Sequence, residues 1–426
     1  MSAVLLVAIP LLVAFISIMF KKYSHILLLV TSFSLIVLLG FDLLPLESIE
    51  IGGFNAPFGI ELVLDDYSNF ALIIVNTLFF VVAALNVCNF KKLSSILLVG
   101  LAGLNGLLLT GDLFNLFVFL EITGISAYLI TSSNKKPMAT FNYLVAGTVG
   151  SSLYLLGLII LYNMFGTLNM ADLSLRIAAS GASNMDVAFP FLLMFIGLGV
   201  EAKLLPFNSW VKGVLGSSNT LSGPMIAGVY AAASLLVFGR LLTDVFVVSD
   251  QLQLIIYLVL GFSIFAGEAM AYSSSKAREI LLFSSIAQAG IAVLLFASGF
   301  TGYGVLFVTF NGFSKIVLFS IINQSVKQLG TDDVDSLKGL FVDNKVIGIS
   351  FTVVVLSLLG LPLFAGFVVK IGFLQELFNG GHIVFPIIIL LSSVIEGVYF
   401  IKLLVKMWFD ENSNKKVEFN FASKYT

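Results

Sequence analysis

Seven ionisable residues stand inside stretches that are otherwise apolar enough to cross a bilayer: Glu121, Glu201, Lys203, Glu268, Lys315, Lys370 and Glu396. The plainest case is Glu121, at the centre of "GDLFNLFVFLEITGISAYLI", residues 111–130. A charge near the middle of a membrane costs about 2.5 to 3.5 kcal/mol on insertion scales, so such groups must face one another or water. A carboxyl or an amine held there can take up and release a proton, which no apolar side chain can do. Any one of the seven, taken alone, is equally explained as a polar contact that fixes helix packing. Seven of both signs point to a path for protons or other ions.

The elements that must carry them are helices. The chain has 426 residues, 59% of them hydrophobic and 11% charged, with a mean hydropathy of +1.07, which places it among polytopic membrane proteins of all-α class. A span needs about 20 apolar residues, and thirteen candidates fit: 2–20, 25–42, 66–89, 93–110, 111–131, 138–164, 187–209, 218–246, 251–274, 277–299, 302–326, 344–370 and 381–409. The first has no positive charge before it and no small-residue cleavage site after it, so it reads as a span and not as a removable signal.

Two spans carry helix breakers beside a lysine. In the seventh, Pro206 follows Glu201 by five residues and Lys203 by three; in the twelfth, Gly360, Pro362 and Gly366 precede Lys370. Proline removes a backbone hydrogen bond, and in a membrane the freed groups need protein or a water-filled cavity beside them. A simple kink explains either break alone. Spans 4–8 and 9–13, however, form two sets of five with the broken helix fourth in each. Five is odd, so tandem units of this kind insert in opposite senses, the inverted-repeat plan of many transporters. The organisation expected is spans 1–3 in 1–90, a first five-helix repeat in 91–248, a second in 249–410 and a polar tail in 411–426.

Positive charge sets the orientation, because cytoplasmic loops are enriched in it. Lys21, Lys22, Lys91, Lys92, Lys135, Lys136, Lys212, Lys276, Arg278, Lys327, Lys338, Lys345, Lys402, Lys406, Lys415, Lys416 and Lys424 follow odd-numbered spans; only Arg176 and Arg240 follow even ones. The N-terminus is expected outside and the C-terminus in the cytoplasm, in the cell membrane. Cys88 is the only cysteine, and His25 and His382 lie far apart, so neither an internal disulfide nor a cysteine-ligated cluster is possible and metal or haem binding is not expected. No nucleotide fingerprint is present. No cofactor, catalytic site or nucleic-acid partner is expected.

The segments resemble a family. "GDLFNLFVFLEITGISAYLI" resembles the fifth helix of the antiporter-like subunits of NADH-quinone oxidoreductase (complex I), Mrp-type Na+/H+ antiporters and energy-converting membrane-bound hydrogenases. "GLGVEAKLLPFNSW" is similar to the family's broken helix 7, "AYSSSKAREILLFSSIAQAG" to its helix 10 and the loop before it, "FNGFSKIVLF" to its helix 11 and "GLPLFAGFVVK" to its helix 12. The resemblance covers roughly residues 55 to 375. It implies two half-channels joined at mid-membrane by charged residues and water, with Glu121, Lys315 and Lys370 at the positions of the family's helix 5 glutamate, helix 11 lysine and helix 12 lysine or glutamate. It also implies an ion pair between Glu121 and the helix 7 lysine, and other membrane subunits of a redox or antiporter complex as partners, with H+ or Na+ as the ion moved.

The chain departs from that pattern. Glu201 occupies the usual place of the helix 7 lysine, and Lys203 comes two residues later, on nearly the opposite face of a regular helix. Ala232 replaces a helix 8 lysine, Asn311 replaces a helix 11 histidine, and the family's fourteenth helix has no counterpart before the polar tail. The glutamate and Pro-Phe-Asn of the seventh span favour the hydrogenase-type branch. Three readings stay open: an ion-translocating subunit of a membrane-bound redox complex, a subunit of an Mrp-type antiporter, and a structural or coupling subunit with an incomplete path. An independent carrier of organic solutes is the weaker fourth. Glu268 reads either as part of an entry path or as a contact beside Lys276, and Glu396 as transport or packing.

Overall fold

The computed structural model describes residues 2–41, 43–54, 59–87, 93–180, 184–246, 250–409 and 417–419. Cys88, Lys91, Lys92, Lys415, Lys416, Lys424 and most of the expected polar tail lie outside the described residues. The helices are α1 (Leu5–Met19), α2 (Ser24–Gly40), α3 (Asp66–Leu85), α4 (Ser94–Leu109), α5 (Leu113–Ser132), α6 (Pro137–Phe165), α7 (Met170–Ala179), α8 (Asn184–Glu201), α9 (Val211–Gly216), α10 (Ser222–Val245), α11 (Asp250–Ser273), α12 (Ala277–Ala297), α13 (Thr301–Leu329), α14 (Lys345–Leu359), α15 (Ala365–Asn379) and α16 (Val384–Phe409). Eight of them are long and apolar enough to span a membrane unaided, while α1, α2, α4 and α14 are apolar but shorter. The expected count of thirteen spans is therefore not fixed by length and composition alone.

Both expected interruptions are present. In the seventh span α8 ends at Glu201, before Pro206, and the next helix, α9, begins at Val211, two residues past the expected end at 209; the twelfth divides into α14 and α15 around Pro362, with α15 running to Asn379, beyond the expected 370. Proline alone does not decide this, because Pro10 and Pro190 lie inside unbroken helices. Protein groups satisfy what each break frees, as a membrane requires. Trp210 Nε1 donates to the Val200 carbonyl at 3.0 Å and the Leu205 amide donates to Ser263 Oγ at 3.2 Å. At the second break the Gly366 amide donates to Ser357 Oγ at 3.0 Å, and Lys370 Nζ folds back to 3.5 Å from the carbonyls of Leu358 and Leu359.

Burial separates core helices from outer ones. The most apolar stretch of α10 is 94% buried and that of α12 is 89%, against 33% for α6 and 39% for α11 and α16. The outer faces of the last three carry large exposed apolar side chains such as Ile159, Phe262 and Leu391, which suits contact with lipid. Small residues let α10 reach the centre: a Cβ on Gly228 would stand 2.6 Å from Ile316 Cγ1 and 3.2 Å from the Gly312 carbonyl. Its ends, Met225–Tyr230 and Leu241–Val245, are π-helical, a geometry that often accompanies functional sites.

Two elements have no counterpart in the sequence reading. Strands β1 (Glu47–Ile51) and β2 (Ile60–Leu64) form an antiparallel hairpin with Ile49 opposite Leu62, and α7 is a short helix between the sixth and seventh spans. The hairpin is tied to neighbouring helix ends: Glu61 O accepts from the Gly111 amide at 2.9 Å, and Arg240 pairs with Asp65 at 2.8 Å and Asp244 at 3.1 Å.

Candidate functional site: a buried line of carboxylates and amines

The first half of the chain gathers Glu121, Glu201 and three tyrosines. Glu121 is half-buried on α5. Its charge acts on Glu201 and on Tyr128. Glu201 ends α8, and its Oε2 accepts from the Tyr143 hydroxyl at 3.1 Å. Tyr143 stacks on Trp210 across the break with ring centroids 3.9 Å apart, so one aromatic contact sets the positions of both Glu201 and the start of α9. Gly147 leaves room for this cluster: a Cβ there would collide with the Tyr128 hydroxyl and lie 3.2 Å from Glu201 Oε1. Tyr230 of the π-helical segment shares a 2.6 Å hydrogen bond with Ser126 on α5.

Lys203 turns away from that cluster. It stands at the break with φ +65, a left-handed conformation that a residue with a Cβ adopts only at a cost of about 1 to 3 kcal/mol. Its side chain is 2% exposed and donates to Ser285 Oγ on α12 at 3.3 Å. The ion pair with Glu121 implied by the family resemblance is not formed among the described residues, because the left-handed turn redirects the amine toward the second half.

There Lys203 meets Lys315. Both line a cavity with about 20 Å³ of space for water centres, together with Ala232, Ser285, Gln288 and Asn311. That space suffices for one water, which needs about 10 to 15 Å³ and two to four polar partners. Lys315 Nζ donates to Ser284 Oγ at 3.0 Å, so the two amines are held by consecutive serines of one helix. Gln288 Oε1 and Asn311 Oδ1 are buried without a protein partner, a state that costs about 1 to 3 kcal/mol for each group unless water supplies a hydrogen bond. Ala232 lines the cavity where a longer side chain would fill it.

From this cavity the line continues outward through α16. Gln288 Nε2 donates to Glu396 Oε1 at 2.8 Å, and Glu396 Oε2 lies 3.5 Å from Lys370 Nζ. Glu268, 2% exposed on α11, accepts from the Tyr399 hydroxyl at 2.7 Å. Glu268 feels Glu396, Lys315 and Lys370. Lys276 sits 4.0 Å from Glu279, and among the described residues no ion pair joins it to Glu268, whose polar contact is Tyr399. Lys203, Lys315, Glu268, Glu396 and Lys370 thus make one connected set, while Glu121 and Glu201 make a second.

Sequence reasoning missed Tyr143, Tyr399, Ser284, Ser285 and Gln288. The last three had a signal: Ser284 and Gln288 are four residues apart and so share one face of a helix that is otherwise made of Leu, Ile and Ala. Neutral polar residues cost little in a membrane, so their presence alone drew no attention.

Residues 110–396 match the family of NADH:quinone oxidoreductase/Mrp antiporter transmembrane proteins, and the chain belongs to that family. It is 30% identical over 373 residues to NADH-quinone oxidoreductase subunit N of Desulforudis audaxviator, covering 83% of this chain and 74% of that one. It is 26% identical to a Na(+)/H(+) antiporter subunit of Bacillus subtilis, covering 87% of this chain and 78% of that one. Among solved structures, a chain of the membrane-bound sulfane sulfur reductase, an archaeal respiratory membrane complex, superposes with a TM-score of 0.89 at 27% identity, over 98% of this chain and 90% of that one. A chain of the Mrp complex of Dietzia sp. DQ12-45-1b has the same fold, with a TM-score of 0.87 at 21% identity over 98% of this chain and 82% of that one.

Proposed function

We propose that this chain is the antiporter-like subunit of a membrane-bound redox complex, and that it moves H+ along the buried line while partner subunits transfer electrons. The carrying observation is the connected set from Lys203 to Lys370, in which each group hydrogen bonds to the next or shares a cavity with it. In this reading Lys203 and Lys315 are the central proton holders. Their charges repel across a shared cavity, so loading one favours release from the other. Glu396 and Lys370 form the next station, with Glu268 and Tyr399 beside it. Glu121 and Glu201 with Tyr143 load the line from the first half, and the breaks at Pro206 and Pro362 provide the irregular backbone beside which charges and water are tolerated. Partner subunits, the plasma membrane and a cytoplasmic C-terminus complete the proposal.

The test is to reconstitute the complex, purified through a tag on this chain, into liposomes and impose a potassium diffusion potential while a trapped pH dye reports H+ entry. Lys315→Met is expected to cut H+ entry by about tenfold or more, the factor for losing about 1.4 kcal/mol of barrier lowering. A Na+ jump in the same vesicles separates H+ conduction from Na+/H+ exchange, the reading suggested by the Mrp relatives. A coupling subunit with an incomplete path is favoured by one observation: among the described residues, no hydrogen bond joins the Glu121/Glu201 group to Lys203. That reading predicts wild-type H+ entry in Lys315→Met.

A further inference from the structure

Gln288 touches both parts of the line in the second half and cannot itself carry a proton. Its nitrogen donates to Glu396 Oε1 at 2.8 Å, which fixes the amide's orientation, since a carbonyl oxygen aimed at a carboxylate would be repelled. The opposite end, Oε1, is buried and has no protein partner, and the side chain, 6% exposed, lines the cavity shared by Lys203 and Lys315. Asn311 lines the same cavity in the same condition, with Nδ2 committed to the Phe307 carbonyl at 3.1 Å and Oδ1 unpartnered. Two acceptors and two amines around a space large enough for one water define a four-partner water site: the water donates to the two amide oxygens and accepts from the amines.

We propose that Gln288 is a positioning residue that links the protonation of Glu396 to the charge on the central amines by turning its amide. This rests on the proton-translocating reading above. While Glu396 is ionised it takes the amide N–H, and the amide oxygen faces the cavity, where an acceptor favours a charged amine. When Glu396 receives a proton from Lys370, it arrives on Oε2, 3.5 Å from the amine; the neutral carboxyl then rotates about its Cγ–Cδ bond, so that its O–H faces Gln288 and donates to the amide oxygen. The amide turns over, and N–H groups now face the cavity and disfavour charge on Lys203 and Lys315. Only hydrogen bonds change in the turn; the proton moves from the Lys370 ammonium to the Glu396 carboxylate. The coupling is reciprocal, so a charged central pair holds Glu396 ionised.

Gln288→Met keeps length and volume and removes the dipole. In the reconstituted complex it is expected to lower potential-driven H+ entry about tenfold, the factor for one lost hydrogen bond to a charged group, and to displace the pH at half-maximal rate by about one unit. Should Gln288→Met fail to assemble, the exchanged pair Gln288→Glu with Glu396→Gln, equal in volume, replaces it and is expected to conduct with an altered pH profile. Wild-type rate and profile in Gln288→Met, or in the exchanged pair, overturns the proposal. Lys315→Met run alongside separates the two layers: loss there with normal Gln288→Met refutes the amide link alone, and no loss in either refutes the proton path as well.

Discussion

Glu201 and Lys203 are two residues apart and serve different halves of the chain: Glu201 takes a hydrogen bond from Tyr143 on α6, while Lys203 reaches Ser285 on α12. The left-handed backbone at Lys203 makes this division. Lys203→Gly relieves that backbone cost but removes the amine, whereas Lys203→Met keeps the cost and removes only the charge. Both are expected to lose H+ entry by about tenfold or more, with Lys203→Met the more thermostable of the two, because truncating this buried side chain to glycine leaves a cavity that costs about 2 to 5 kcal/mol, more than the backbone relief returns. A melting temperature of Lys203→Gly at or above that of Lys203→Met in the purified complex would show that the backbone relief outweighs the cavity.

Room for the first cluster depends on Gly147. A methyl group there collides with the Tyr128 hydroxyl and forces the ring or α6 to move. Gly147→Ala should destabilise the chain by about 1 to 3 kcal/mol, the usual cost of overpacking, and should weaken transport through displacement of Glu201. Thermal unfolding of the purified complex checks the first part. Gly397, where an added methyl group would meet nothing within 4 Å, serves as the neutral control.

The Lys370 and Glu396 side chains are 13% and 5% exposed. Removing one partner of so buried a pair typically costs about 3 to 5 kcal/mol, because the other charge is left alone. Lys370→Met and Glu396→Leu are each expected to destabilise strongly, and the double variant much less than their sum. Additive losses in this cycle would mean that the two groups do not act as a pair.

On the face bearing the hairpin, Arg240 joins Asp65 to Asp244. Burial raises the Asp65 carboxyl, but the Ser68 amide and the Arg240 guanidinium outweigh it and hold the group below the ordinary carboxylate range. A depressed value means that stability from this contact is complete above roughly pH 4 and is lost as the pH falls through the folded-state value. Melting temperature should therefore drop as the pH falls below the ordinary aspartate range, and part of that drop should vanish in Asp65→Asn. An acid limb identical in wild type and variant would show that Asp65 has no part in it.

What was legible in the sequence was cost. All seven ionisable residues singled out within the spans are buried or half-buried, because a charge in lipid has few other fates. Both helix breaks fell at the expected prolines, since a lysine beside a breaker signals a polar interior. Partnership was not legible. Whether Lys203 meets Glu121 or Ser285 depends on the handedness of one residue's backbone, and pairs such as Gln288 with Glu396 lie 108 residues apart on helices whose rotation no local pattern fixes. The hairpin of 47–64 escaped notice because its two strands are each five residues long and one is largely exposed.

If Lys203 and Lys315, facing one cavity, pass protons through the middle of the membrane, neither amine is dispensable. The decisive comparison is potential-driven H+ entry into liposomes carrying the complex, between wild type and the Lys203→Met and Lys315→Met variants at equal assembly. Each single variant is expected to fall by about tenfold or more and the double variant little further, because both interrupt one line. Wild-type entry in either assembled single variant contradicts a proton path through these two amines.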